Sequence, residues 1–569
     1  MIYNGNSPWL DRTLRLSSSL DSFVSRMAET IAAEGGKRRK QDAVDNIKTA
    51  LSVILANLLR SYALQPSVGI KVDLSNDAFP EGPFNPLRLG IRAIRKVLGY
   101  LIGSTPPLIQ KRGGNFDRQR EVGYSTELWA SDKLIDDLAV FIKENISEVK
   151  YQGPYDQSIT RNTFDINFYI SNVGLIFQKE DLPIIRLRKG SSKKDSVFAD
   201  FEPTPETDQM ESRLRSYNSF LQSGARINLF LTDDEMAELQ ERREQDQDEF
   251  GSFRAASRLI DLASGNRLYR VFNDGCFDHG GRIYGGWWQN VPKEYRRYIT
   301  INGMPTVEVD FSSMQLAMLY AKVGEQLEGD AYAIDGFPPE LRPLVKTTTL
   351  KMINALGRIR APSRSALPEG ISWKDLQQAI LEKHRPIAGY FRSGEGIRLQ
   401  RLDSDIAEDV ILRMMERGIP VLPIHDSFIV EEEHADELSA VMLDAYQKRM
   451  GGMTIAAKRS ASLVDDLLVG QGGWNGNERH TLVMTHFVAK RETPEYGGYR
   501  LREDLLVPAK PSAICAGSEL KSAMRFRDKS HDTLESTGPR AQSVLGRRRS
   551  PLIWAKRLWD RSTCRGKAF

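Results

Sequence analysis

The chain has 569 residues, 40% hydrophobic and 27% charged, an ordinary balance for a soluble protein of two to four domains. It has no run of eighteen apolar residues to predict a membrane span, no secretory signal pattern, and three scattered cysteines (Cys276, Cys515, Cys564) that offer neither a disulfide framework nor a zinc site and suit a reducing compartment. The net charge of +4 is uneven: residues 510–569 carry +9, which leaves −5 for the rest, and such a tail suits either a polyanion such as nucleic acid or a solvated, poorly ordered extension.

In chain order, residues 40–65 repeat apolar side chains at helical spacing and predict a long amphipathic helix. Residues 66–130 are rich in Pro, Gly and Asn, and their basic stretch Lys111–Arg120 reads as a loop. Short strands are expected at Phe164–Ile170, Gly174–Gln178 and Leu182–Leu187, then a polar connector over 189–210 and helices over 211–222 and 232–264. The texture turns Gly- and aromatic-rich near residue 265, where a boundary is expected. The predicted organisation is a divergent N-terminal region (1–265), a core carrying the motifs (266–470) and a basic C-terminal extension (471–569).

Two aspartates stand out. Val307 and Val309 alternate with Thr306, Glu308 and Asp310 as in a half-buried strand, and a helical pattern follows from Ser312. Asp310 thus falls where a strand gives way to a helix. Apolar runs flank His425-Asp426-Ser427, which places His425 and Asp426 at the tip of two short strands. Taken singly, Asp310 reads as a capping residue and Asp426 as a turn residue. Taken together at converging tips, they form a site for two Mg²⁺ ions, with Mn²⁺ as a substitute, serving in-line phosphoryl displacement. Between them, Leu341–Gly357 predicts a helix with Arg342 and Lys346 on one face. That pair suits a triphosphate, and equally a solvated basic face. Trp287-Trp288 and Tyr284 are candidates for base stacking or for core packing.

With these residues in place, the block 275–435 resembles the family A (polymerase I-type) DNA polymerases and their relatives, the single-subunit phage-type RNA polymerases. The resembling stretches are Gly281-Arg282, Gln289-Asn290-Val291-Pro292, Asp310-Phe-Ser-Ser-Met-Gln315-Leu316, Arg342 with Lys346, and His425-Asp426. The resemblance implies an α+β right-hand polymerase core with an antiparallel palm, small helical fingers and a thumb drawn from the N-terminal region, for which the 40–65 helix is the candidate. It implies Asp310 and Asp426 as metal ligands, and Arg342 and Lys346 as triphosphate binders, with Lys346 also a proton donor. Gln315 takes the ribose-gate position. Arg282, Tyr284, Gln289 and His425 are placed at the primer–template. Two departures bear on sugar selection and template positioning: Asn354 stands where a Tyr is expected and Ala355 where a Gly is expected. Asp278-His-Gly-Gly281-Arg282-Ile-Tyr284 and Ile424-His-Asp-Ser-Phe428 lean toward the RNA polymerase branch. The expected function is template-directed nucleotidyl transfer with a primer–template and nucleoside triphosphates as partners, in a bacterial cytoplasm or nucleoid. DNA synthesis is favoured, an RNA polymerase or primase comes second, and an inactive nucleic-acid-binding replication protein is the alternative of another class.

Overall fold

The computed structural model describes residues 7–34, 40–113, 125–150, 166–190, 197–231, 260–263, 265–361 and 371–462, with short pieces at 116–117, 122–123, 164, 238–239 and 367. All of these lie in one compact unit that spans Met1–Tyr499. The expected helix over 232–264 falls almost entirely outside the described residues, and the basic extension over 471–569 falls wholly outside them.

The first hydrophobic core draws on residues from Leu14 to Phe177. Its strands are β1 (Leu14–Leu16), β2 (Ile70–Val72), β3 (Ile109–Arg112), the two-residue pair β4 (Phe116–Asp117) and β5 (Val122–Gly123), β6 (Thr126–Ala130) and β7 (Phe177–Lys179). Its helices are α1 (Asp21–Ala33), α2 (Gln41–Leu64), α3 (Ile91–Gly103), α4 (Asp132–Asn145) and α5 (Ile166–Ile176). The expected long helix is α2. It is long and apolar enough to cross a membrane, yet 14 of its 24 residues are buried inside the protein. That burial explains why its apolar positions run around the helix rather than along one stripe. Asn57 on α2 accepts from the Asp11 backbone N–H at 2.8 Å and donates to the Asp11 carbonyl at 2.9 Å, which ties the N-terminal segment to this helix.

The strands expected at Phe164–Ile170 and Gly174–Gln178 are instead α5, followed directly by β7. The run is apolar with no clear period, and such runs fit a buried helix as well as a strand. Packing of α5 against α2 decides it, with Phe168 and Tyr169 at 2% and 1% exposure.

The second core draws on residues from Ile184 to Met450, and Ala263, near the change of texture at 265, packs against the first. The segment read as a polar connector holds β9 (Val197–Ala199), which pairs with β8 (Ile185–Lys189), and the start of α6 (Pro205–Gly224). Pro205 opens α6 inside a capping box made by Thr204 and Thr207, so the helix starts six residues before its apolar pattern becomes legible.

Two sheets carry the remaining architecture. A four-stranded sheet has the order β12-β11-β8-β9, with β11 (Asn266–Asn273) and β12 (Cys276–Gly286) as an antiparallel hairpin and β8 parallel to β11. A six-stranded sheet, antiparallel throughout, has the order β10-β13-β14-β16-β15 with β17 also on β14. Its strands are β10 (Ile227–Leu229), β13 (Ile299–Ile301), β14 (Met304–Phe311), β15 (Val421–Ile424), β16 (Ser427–Glu431) and β17 (Ala457–Arg459). The accompanying helices are α7 (Met314–Val323), α8 (Arg342–Asn354), α9 (Trp373–Lys383), α10 (Gly396–Glu416) and α11 (Ala435–Arg449). Trp287 and Trp288 are 2% and 0% exposed, so they are core side chains and not a stacking platform.

Tyr217 of α6 reaches the edge strand of the six-stranded sheet. Its buried hydroxyl donates to the Val421 carbonyl and accepts from the Val421 N–H at 3.2 Å. One phenol therefore satisfies both backbone groups where β15 begins. Tyr217→Phe should lower unfolding stability by about 1–3 kcal/mol, read as a lower urea midpoint with an unchanged slope. A midpoint equal to wild type would mean that the hydroxyl does not secure this strand.

Candidate active site

Five consecutive pairs join β14 to β16, from Thr306↔Glu431 to Asp310↔Ser427. β15 and β16 form a hairpin whose two-residue turn is His425-Asp426. The register therefore places Asp310 beside the residue that follows Asp426, and the Phe311 N–H donates to the Asp426 carbonyl at 3.3 Å. On its other side Asp310 stands opposite Lys458 of β17. His425 has φ +58, a left-handed conformation that His tolerates better than branched residues do.

One layer beneath, Glu308 is 6% exposed and accepts from the Ser427 hydroxyl at 2.6 Å and from Arg296 at 2.8 Å. Burial is the largest cause that pushes the Asp310 carboxyl up to about 6, followed by Asp426 and Glu308. Lys293 and Lys346 pull it down. Lys293 lies one residue beyond the Gln289–Pro292 element, and nothing in its local spacing marked it. Carboxylate oxygens held close together and partly out of water are the donor set a hard divalent ion takes. Asp310 and Asp426 thus fit Mg²⁺ by donor type and by charge.

The β11–β12 hairpin supplies the flank. Gly281 has φ +82, and a Cβ there would sit 2.7 Å from Phe272 and 3.2 Å from Arg270. Only glycine lets the strand approach this closely. Next to it, Arg282 forks onto Asp403 of α10 through Nε, at 3.1 and 3.3 Å, and through Nη2. Asp403 is 2% exposed and was not singled out from the sequence, where it reads as one polar position in a packing helix. Burial pushes its carboxyl up to about 6, with Asp426 adding to the rise, while Arg282 pulls it down. Burial opposes the Arg282 charge, and Asp403, then Asp426, outweigh it, so its pKa is raised. Both groups are charged at neutral pH.

Tyr284 meets His425 edge-on, with ring centroids 5.4 Å apart. Burial, then Arg282 and Arg296, push His425 down to about 4, so the ring is neutral at pH 7. Its buried Nδ1 has no hydrogen-bond partner among the described residues. Gln289 spends its amide nitrogen on the carbonyls of Ile283 and Pro423, each at 3.0 Å, and so pins β12 to β15 beside the turn.

Arg342 is the first residue of α8, and Lys346 follows one turn later, as the spacing predicts. The Arg342 guanidinium carbon and the Lys346 ammonium lie 5.4 and 5.9 Å from the Tyr332 ring centroid. Arg342 also pairs with Asp330 at 2.6 Å, and both side chains are largely exposed. At the end of α8 the Asn354 amide donates to Gln315 at 3.2 Å. The residue in the ribose-gate position and the residue that replaces the expected Tyr therefore touch each other. Gln315 lies on α7 and Lys346 on α8, and the Lys346 charge reaches Asp310.

Glu431, Glu433 and His434 also bring ligand atoms within 4.8 Å of one another. They lie at the opposite end of β16 from Asp426, roughly 17 Å along the strand, and Asn302 holds Glu431 at 3.1 Å. They take no part in the aspartate site.

The sequence matches no protein-family model and no curated protein. Among solved structures it is similar to the POL domain of Pol1 from M. smegmatis in complex with DNA primer-template and dNTP, with a TM-score of 0.25 and 15% identity. The similarity covers 45% of this chain and 64% of that one, under two thirds of its length. The functional reading rests on the residues of the site.

The raised Asp310 pKa has a measurable cost. Below about pH 4 the carboxyl is protonated in folded and unfolded chains alike; between pH 4 and 6 the unfolded chain ionises first, and above pH 6 the folded state carries the full penalty. Asp310→Asn should therefore stabilise the metal-free protein above pH 6, by about 1–2 kcal/mol, and have little effect at pH 4. Thermal unfolding in EDTA at both pH values checks this, and equal shifts at the two would remove the proposed charge crowding.

Proposed function

We propose that the chain is a template-directed nucleotidyltransferase that extends a 3′-hydroxyl and releases pyrophosphate, with DNA synthesis favoured over RNA synthesis. One observation carries this reading: strand register brings Asp310 and Asp426 to one place, and the charge of Lys346, one helical turn from Arg342 on α8, reaches Asp310. The resemblance set out from the sequence supports it. A carboxylate pair alone fits many metal sites; the pair together with two cations one helical turn apart fits a site for a polyphosphate.

In this reading Asp310 and Asp426 hold two Mg²⁺ ions, or Mn²⁺ in their place. When bound, the metal activates the 3′-hydroxyl and neutralises the charge on the departing pyrophosphate. Lys346 and Arg342 take the triphosphate. Arg342 is free to do so because its pair with Asp330 is half-exposed, and pairs of that kind are worth only about 0–1 kcal/mol. A triphosphate can displace Asp330 at little cost. Lys346 also serves as proton donor to the leaving group. Arg282, fixed by Asp403, and Tyr284 with His425 face the growing end. Neutral His425 presents its unpartnered Nδ1 there without adding charge. Gln289 acts by holding β12 to β15. Sugar choice falls to the Gln315–Asn354 amide pair. Because neither side chain is aromatic or charged, ribonucleotides are the second substrate class.

The test is primer extension in Mg²⁺ with dNTPs and rNTPs offered separately. Wild type should extend from one pool. Asp310→Asn and Asp426→Asn should each lose activity by roughly 10³ or more, and Lys346→Ala by roughly 10². Full extension by either aspartate variant would overturn the metal assignment. No extension from either pool, with primer–template binding intact in EDTA, would favour a nucleic-acid-binding replication protein.

A further inference from the structure

One face of the four-stranded sheet leads away from the candidate active site as a continuous run of rings and guanidinium groups. Strand register sets it. Arg186 pairs across from Val271, two residues from Tyr269; Tyr269 pairs with Tyr284; Arg188 pairs with Phe198. Side chains alternate along a strand, so Arg186, Arg188, Phe198, Tyr269 and Tyr284 share one face. The opposite face holds Ile185, Leu187, Leu268 and Phe272, all buried in the second core.

The contacts are unbroken. Tyr284 meets His425 at 5.4 Å and Tyr269 at 6.2 Å. The Arg186 guanidinium lies 3.4 Å above the Tyr269 ring and 5.7 Å from that of Phe84. Phe84 stacks on Phe198 at 4.6 Å with an interplanar angle of 20°, and Arg188 lies 5.0 Å from the Phe198 ring. Phe198 is 37% exposed, and Phe84, Arg186, Arg188, Tyr269 and Tyr284 are half-buried. Strand β8 reads Ile185-Arg-Leu-Arg-Lys189, three cations and no carboxylate. Among the described residues Arg188 makes no ion pair.

We propose that this face is a docking track for a single strand of nucleic acid running to or from the active site. The inference rests on the nucleotidyl-transfer reading for the identity of its occupant. Two features select that occupant. Flat rings spaced along a path suit unpaired bases, whose faces stack without regard to sequence. Guanidinium groups interleaved with the rings suit the phosphates of the same strand and reinforce the stacking. An acidic peptide would use the charges and leave the exposed ring of Phe198 unused. A membrane surface would need a broad apolar face, and the exposed apolar area here is a single ring with its neighbours.

The experiment is fluorescence anisotropy in EDTA with labelled single-stranded oligonucleotides of DNA and of RNA, of increasing length. It compares wild type with an Arg188→Ala/Phe198→Ala double variant, and it includes Glu433→Gln, at the far end of β16. Affinity for the wild type should rise with strand length, and the double variant should bind long strands roughly tenfold more weakly. Its slope of log K against log salt should fall by about 0.7 for the lost phosphate contact. Glu433→Gln should bind like wild type. Arg188→Lys should restore the salt slope but not the full affinity. If the double variant unfolds at a lower temperature than wild type, Arg188→Gln alone is read in the same way. Equal affinity and equal slope in wild type and variant would overturn the track, whether or not the protein extends primers. Weakened binding in the variant with no extension by wild type would uphold the track and remove the nucleotidyl-transfer reading instead. The DNA and RNA arms identify the sugar of the strand.

Discussion

The antiparallel pairing of β14 with β16 is the constraint on which the site depends. Asp310 and Asp426 are over a hundred residues apart in sequence, and only this register brings them together. A slip of one residue would turn Asp310 to the opposite face of the sheet. Several interactions guard against that. Val307, Val309 and Phe311 alternate into the core, so a slip would expose all three. The buried Ser427–Glu308–Arg296 chain fixes the same register from the side of the carboxylates. β17 covers the far edge of β14 from Val309 to Phe311, so the end of the strand that carries Asp310 is held from both sides.

A second constraint sets the flank. Arg270 has no exposed surface, and its guanidinium bonds to the Gly281 carbonyl at 2.7 Å, Ser404 at 2.7 Å, Asp405 at 2.9 Å and Glu408 at 3.2 Å. A buried cation of this kind is tolerable only when nearly all its donors are used, and removing either side would leave an uncompensated charge. The result is a fixed spacing between the β11–β12 hairpin and α10. That spacing places Asp403 where it grips Arg282, and Arg282 where its field reaches Asp426. The electrostatics follow from the same geometry. Asp310, Asp426, Asp403 and Glu308 crowd one region, and the cations there either pair with a buried partner or stand exposed at the rim. Among the described residues, Arg342, Lys346, Lys293 and Lys458 stand exposed there and are available to an anionic ligand.

Much of the site was legible because its chemistry is local in sequence. The Val-x-Val-Asp alternation gave a strand ending at Asp310, and the His-Asp pair between two apolar runs gave a tip; both are so placed. Arg342 and Lys346 could be read as one helix face because spacing alone decides it. Asp403 and Lys293 were not legible, because their meaning comes from partners 121 and 17 residues away, Arg282 and Asp310. The fold was less legible where buried apolar runs carry no period. Phe164–Ile170 fits strand and helix equally, and only packing on α2 selects the helix. β8 and most of α6 were legible, and the start of α6 was not, because its first turn is polar and set by the Thr204 cap. They are amphipathic elements whose apolar faces find the second core.

Uptake of Mn²⁺ in the presence of a nucleoside triphosphate, followed by loss of the free-ion electron paramagnetic resonance signal, tests the central claim most directly. The protein should take up the ion. Asp310→Asn and Asp426→Asn should each weaken that uptake strongly, and Glu433→Gln, at the far end of β16, should leave it unchanged. Uptake that survives both aspartate variants, or that vanishes with Glu433→Gln, would contradict the account and move the metal site to the Glu431–Glu433–His434 group.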